Sequence, residues 1–309
     1  MSDEATSPQT PPAPTRCGFI ALVGAPNAGK STLLNALVGT KVSIVTHKAQ
    51  TTRAQIRGVV TEGASQIVFI DTPGIFAPKR RLDRAMVEAA WTGAGDADVV
   101  ALIVDAERGV TPEVEAMLQG LADIRHPRVL VLNKIDLIPR EKLLGLSADL
   151  NARLSFEATF MISALKGAGV RDFLAWAETH SPLGPWHFPE DQLTDLTLAL
   201  TAAEVTREKL FLRVHDEIPY NATVETEKFT INDDGSYRID QVIYLTRDSH
   251  KKIVLGAGGQ TVKAIGAESR KELMQIFETP VHLFLFVKVR EKWGDDPERY
   301  REMGLAWTK

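Results

Sequence analysis

A single cysteine, Cys17, stands in the 309 residues, which excludes an intramolecular disulfide and leaves no thiolate cluster for a metal. That usage fits a reducing compartment, and Cys17, just ahead of an apolar strand, reads as a packing residue. No apolar run nears the roughly 18 residues needed to cross a bilayer. Residues 1–16, MSDEATSPQTPPAPTR, lack the basic and then apolar order of a signal peptide and read as a disordered tail. Positive charge is not in surplus: 36 Lys and Arg against 40 Asp and Glu give a net charge of −4. Any contact with nucleic acid must therefore be a local patch. The 7 histidines have no HExxH or CxxC companion, so no transition-metal site is expected.

What is present is an ordinary folded composition, 44 % hydrophobic and 25 % charged. The length suits two domains of about 150 residues each. Apolar strands at 18–24, 66–72, 98–106, 128–134 and 159–163 alternate with helical stretches at 31–38, 86–91, 113–121, 141–154 and 170–180. That alternation predicts an α/β fold, a mainly parallel sheet with helices on both faces. The stretch 41–55 shows no regular period. Pro182, Pro185 and Pro189 mark a boundary. The expected organisation is a tail over 1–16, an α/β domain over 17–182, a linker over 183–192 and a second domain over 193–309. This second domain reads as a smaller α+β unit: helix 195–214, strands 222–231 and 236–246 joined by a turn at Asn232–Gly235, helix 251–255, the sequence GAGG, helix 261–277 and strand 282–289.

The strand at 18–24 runs into Gly24-Ala25-Pro26-Asn27-Ala28-Gly29-Lys30-Ser31, a full match to G-x-x-x-x-G-K-[ST] that then opens a helix. Glycines let backbone N–H groups turn inward around phosphate oxygens, helped by the positive helix end. Lys30 brings a charge to the β and γ phosphates, and Ser31 offers a hydroxyl to Mg²⁺. Asn133-Lys134-Ile135-Asp136 follows a strand end, where open α/β sheets bind ligands. The carboxylate of Asp136 can accept from the N1–H and exocyclic amine of guanine, a pair adenine lacks, while Asn133 can bond the other edge of the base. Ser163-Ala164-Leu165 can offer a backbone N–H to the guanine oxygen. Asp71-Thr72-Pro73-Gly74 ends another strand: Asp71 would hold Mg²⁺ through water and the Gly74 N–H would meet the γ-phosphate. Thr51 and Thr52 both stand where a Mg²⁺-sensing threonine belongs.

The set GAPNAGKS, TTR, DTPGI, NKID and SAL resembles a translation-factor-type GTPase domain, and the wording KAQTTR with the second domain resembles the Era-type GTPases over about 18–305. The resemblance favours Thr52 over Thr51 as the metal ligand and extends the nucleotide-contacting run to Thr32 and Ile75. It implies GTP and GDP as ligands, with Lys30, Thr52 and Gly74 serving hydrolysis. Many GTPases orient water with a glutamine after the DxxG glycine; here Ile75 and then Phe76 stand there. In several relatives a K⁺ ion takes the place of an arginine finger, and its ligands would be Asn27 and backbone oxygens of 46–48.

The order helix, strand, strand, helix, GxxG, helix, strand resembles the type II KH fold. Gly256-Ala257-Gly258-Gly259 would let backbone approach phosphates beside a groove for four single-stranded nucleotides. Between 247 and 271 stand six basic residues, Lys251, Lys252 and Lys263 among them, against two acids. The loop departs from the family in having no basic residue between its glycines, so those lysines must carry more of the contact. The resemblance implies binding of 16S ribosomal RNA, action in assembly of the 30S subunit, a monomer with no stable protein partner, and a cytoplasmic location. It admits peripheral contact with the inner membrane, although no basic amphipathic helix demands it. A second reading is an RNA-binding assembly factor in which nucleotide binding is mainly structural. Lys79-Arg80-Arg81 reads as a solvated helix start or a contact to RNA or a partner.

Overall fold

The computed structural model describes residues 14–48, 50–215, 217–291 and 293–307. The tail expected over 1–16 lies outside them except for 14–16, and Arg16 already opens the first strand. Strands β1 (Arg16–Gly24), β2 (Ile56–Glu62), β3 (Ser65–Asp71), β4 (Val99–Asp105), β5 (Arg128–Asn133) and β6 (Ala158–Ile162) form a sheet in the order β2-β3-β1-β4-β5-β6. Only β2 runs antiparallel to its neighbour; the other pairs are parallel. Sequence reading missed β2, because IRGVV follows directly on an aperiodic stretch and carries a glycine.

Successive strand residues face opposite sides, so each strand feeds two cores. Ile20, Leu22, Phe69 and Val131 pack under α1 (Lys30–Val38) and α5 (Val170–His180). Ala21, Val23, Leu102 and Leu132 pack under α2 (Arg81–Asp96), α3 (Pro112–Ala122) and α4 (Arg140–Arg153). The β4 residues are all buried, as expected of a central strand covered on both faces.

The chain expected as a linker lies along the edge of this sheet. Gln66 accepts from the N–H groups of His187 and Phe188 and donates to Phe188 O. Val59 N donates to Leu193 O, and Arg57 pairs with Asp195. The second unit then begins with α6 (Leu198–Arg213), followed by β7 (Ala222–Ile231), β8 (Tyr237–Leu245), α7 (Asp248–Leu255), α8 (Gln260–Ile276) and β9 (Val281–Val289). Its sheet is β7-β8-β9, with β7 antiparallel and β9 parallel to β8. A last helix, α9 (Pro297–Glu302), belongs to a closing segment whose Trp293, Tyr300 and Leu305 pack on Leu82 and Met86 of α2. No helix among the described residues is long and apolar enough to cross a membrane.

Candidate functional site

Two sites take shape, one in each unit. The first lies at the carboxyl ends of β1, β3, β5 and β6 and has a cavity of about 350 Å³. It is lined by Asn27, Gly29, Lys30, Ser31, Thr32, Thr52, Gly74, Lys134, Asp136, Ser163, Ala164 and Leu165. Gly29 sits at φ 98° with Asn133 Nδ2 only 2.2 Å from where a Cβ would stand, so no other residue fits. A Cβ at Gly74 would meet Pro26 at 2.9 Å, so this loop can close on the phosphate loop only as glycine.

Lys30 is buried and its Nζ donates to the carbonyls of Gly24 and Ala25 at 3.0 and 3.1 Å. Burial lowers its pKa to about 8, opposed by the charge of Asp71. Ser31 Oγ donates to Asp71 Oδ2 at 2.6 Å, and Thr52 Oγ1 lies 2.9 Å from Ser31 Oγ. Thr51 turns away, bonded to Thr46 and Lys48 O, so of the two threonines only Thr52 faces Ser31 and Asp71. Asp71 is fully buried, which raises its pKa, held back by Lys30 and the surrounding hydroxyls. Its Oδ1 has no hydrogen-bond partner. An orphaned carboxylate oxygen beside two converging hydroxyls fits a hard cation that prefers oxygen ligands. Ser43 Oγ also donates to Asp71 Oδ2, at 2.9 Å. Nothing in the aperiodic stretch 41–55 marks that residue in advance.

At the other end of the cavity, Asp136 is exposed, with Oδ1 accepting from Ser163 Oγ at 2.6 Å and Oδ2 3.1 Å from Lys166 Nζ. These two contacts lower its pKa, Ser163 first, and keep it an acceptor. Leu137 and Leu165 stand exposed beside it as apolar rims. Lys134, at φ 64°, reaches back to Asp105 at 2.6 Å.

Several residues of the expected contact set also hold the fold together. Asn133 donates to Ala28 O at 2.9 Å and accepts from Ala164 N at 3.0 Å. It thereby ties the phosphate loop to the Ser163–Leu165 loop, and it also lines the cavity, with one N–H and one oxygen lone pair left over. Thr72 is buried and donates to Leu22 O. Ile75 points into the sheet core, and only its N–H acts locally, toward Gly24 O at 3.1 Å. Ala28 and Ile135 also pack toward the core, and Pro73 does not line the cavity. Asn27 Nδ2 donates to His47 O at 2.8 Å, which joins the residues expected around K⁺ directly to each other.

The second site surrounds the GAGG loop. Gly256, Gly258 and Gly259 have φ of 72°, 59° and 78°, values that side chains disfavour. No atom lies within 4 Å of a Cβ built at Gly258 or Gly259, so the loop surface is open. Gly259 caps α8 without a side-chain hydrogen bond, leaving that positive helix end beside the loop. Ala257, Lys252 and Lys263 are exposed and Lys251 half-buried, and none of the three lysines has an ion pair among the described residues. Between α8 and the edge strand β9 runs a groove of about 360 Å³ lined by Val262, Lys263, Gly266, Arg270, Leu283 and Leu285. The β9 floor was not expected from the sequence, though the alternation of HLFLFVKV carried the signal.

The units touch along 41–53. Glu208 accepts from Lys41 and from Val45 N, and Arg80 donates to Asn221 Oδ1 at 3.1 Å. Arg81 lies over the Trp307 ring. The basic run 79–81 therefore has two members engaged between the units.

Comparison with known proteins matches both units. A family described as a 50S ribosome-binding GTPase matches residues 19–134, and the KH domain family matches 217–294. The GTPase Era of Rhizobium meliloti (strain 1021) is 61 % identical over 296 residues, 96 % of this chain and 95 % of that protein. That of Brucella suis biovar 1 (strain 1330) is 59 % identical over 303 residues, covering 97 % of each chain. Among solved structures, an Era in complex with MgGDPNP and nucleotides 1506–1542 of 16S ribosomal RNA superposes with a TM-score of 0.88 at 39 % identity, over 94 % of this chain and 99 % of that one. A single-residue variant of Aquifex aeolicus Era bound to GDP and AlF4⁻ gives 0.89 at 38 % identity, with the same coverage.

Proposed function

The chain belongs to the Era family of GTPases, and from that premise we propose a switch in which GTP occupancy sets how the KH groove meets 16S ribosomal RNA during assembly of the 30S subunit. The observation that carries it is a shared segment. Thr52 faces the Ser31–Asp71 site while its neighbours on 41–53 are bonded to α6 and the turn before β7.

In this reading Asp136 selects guanine and Lys30 leaves Gly24 O and Ala25 O to neutralise the β and γ phosphates. Ser31, Thr52 and, through water, Asp71 hold Mg²⁺, which stabilises charge on the phosphates when bound. The Gly74 N–H meets the γ-phosphate. Ile75 is buried and cannot orient water. Potassium held by Asn27 and the carbonyls of 46–48 would supply the missing positive charge; the side chain of Asn27 already faces that loop. Single-stranded RNA would lie along the groove between α8 and β9, its phosphates near Gly256–Gly259 and the lysines, as a monomer needing no partner copy.

The test is fluorescence anisotropy of an RNA spanning nucleotides 1506–1542, with the full chain loaded with a non-hydrolysable GTP analogue or with GDP. Affinities differing by several-fold or more are expected, in the range of about 1–3 kcal/mol typical of coupled sites. Equal affinities would support the second reading, in which nucleotide binding is structural.

A further inference from the structure

We infer that Arg53 is a positioning residue for GTP hydrolysis: by gripping the KH domain it holds Thr52 toward the magnesium site. The inference rests on the reading of Thr52 as a magnesium ligand.

Adjacent side chains of this segment face opposite partners. Thr52 Oγ1 lies 2.9 Å from Ser31 Oγ, whereas Arg53 donates to Ala222 O at 2.8 Å and to Pro219 O at 2.9 Å. Arg53 is 3 % exposed, and its guanidinium lies 5.5 Å from the ring centroids of both Phe211 and Trp293. One residue earlier, Arg207 of α6 donates to Thr51 O at 2.6 Å and covers the same Phe211 ring at 5.2 Å. Thr52 is thus bracketed on both sides by guanidinium bonds that cross to the second domain.

Such an arrangement is costly if it only fastens two domains. Burial, and then the nearby charge of Arg207, lower the Arg53 pKa to about 9, and it stays charged at neutral pH. Its Nε has no partner. A buried cation is tolerated where its geometry is fixed. Two carbonyls at one turn, with an aromatic ring on either side, fix this one. The neighbouring Thr52 then inherits a defined position, which a metal ligand needs and a surface loop does not. Lysine would replace the planar fork that bonds both carbonyls beside the two rings with a compact, more strongly hydrated ammonium.

The experiment uses the full chain in single-turnover GTP hydrolysis, with Mg²⁺ affinity of the complex with a non-hydrolysable GTP analogue measured by calorimetry. Arg53→Met should lower the rate at saturating GTP about 10-fold, leave half-saturation within about 2-fold, and weaken Mg²⁺ binding several-fold. Arg53→Lys should fall between. Thr52→Ala should cost about 100-fold, and adding Arg53→Met to it should cost nothing further, because both act through one ligand. Arg207→Met, which releases Thr51 O, should show a smaller fall with the same non-additivity, and it carries the test if circular dichroism shows Arg53→Met unfolded. Multiplying losses, or an unchanged rate with raised half-saturation, would overturn the inference while leaving Thr52 as a ligand. Normal turnover by Thr52→Ala would remove the premise and the inference with it.

Discussion

The two sites meet phosphate in opposite ways. In the nucleotide pocket the polar side chains, Asp71 Oδ1 excepted, are bonded within the protein: Lys30 on Gly24 O and Ala25 O, Ser31 on Asp71, Asp136 on Ser163. At the GAGG loop, Gly258 and Gly259 face open space and Lys251, Lys252 and Lys263 have no ion pair among the described residues. A compact ligand is read by geometry, so its pocket is preorganised by exchangeable internal bonds. A polymer is read by charge and close backbone approach, so its site is left free.

That contrast is broken first at the base. Asp136→Asn should reduce GTP affinity by roughly 100-fold or more and shift preference to xanthosine triphosphate, since the amide now faces a carbonyl where guanine has an amine. Titration calorimetry with GTP, ATP and XTP checks this, and unchanged GTP affinity would sink the assignment. Gly258→Asp should have a lesser effect, of about 10-fold on single-stranded RNA, with nucleotide affinity untouched. A carboxylate at φ 59° is strained, and it repels phosphate. Anisotropy with single-stranded and duplex RNA of equal length decides it; a folded variant that binds normally would show that RNA does not cross this loop. The smallest effect sharpens the comparison by ion size. Replacing K⁺ by Na⁺ at matched ionic strength should slow hydrolysis severalfold yet leave RNA affinity alone, because screening depends on charge and not on radius. Equal hydrolysis rates in KCl and NaCl would remove potassium from the mechanism.

Much of the pocket was legible because its motifs are contiguous and each ends a strand: Lys30, Ser31, Asp71 and Asp136 stand where the spacing puts them. The element order of the second domain was legible too, down to β7 at Ala222–Ile231. Less so was what each side chain spends its hydrogen bonds on. Asn133 reads as a base contact in the motif, and only the fold reveals that it also bonds Ala28 O and Ala164 N. The domain contacts were invisible, since Arg53 and Pro219 are 166 residues apart and neither sits in a pattern that points to the other. The same holds for the chain around 183–195. Its prolines read as a boundary with a linker over 183–192, and only the fold shows this chain bonded along β2 and β3.

One turn, Pro219–Asn221, collects much of this molecule. Arg53 reaches Pro219 O from the segment that carries Thr52, Arg80 reaches Asn221 from beyond the DTPG loop, and Trp293 Nε1 donates to Asn221 O from the closing segment after β9. In the language of linked equilibria, a body supported from both sides cannot transmit in one direction only. Whatever factor GTP imposes on RNA affinity through this turn, RNA imposes on GTP affinity in return. On the proposed coupling, the RNA would be as much an effector of nucleotide binding as the nucleotide is of RNA binding.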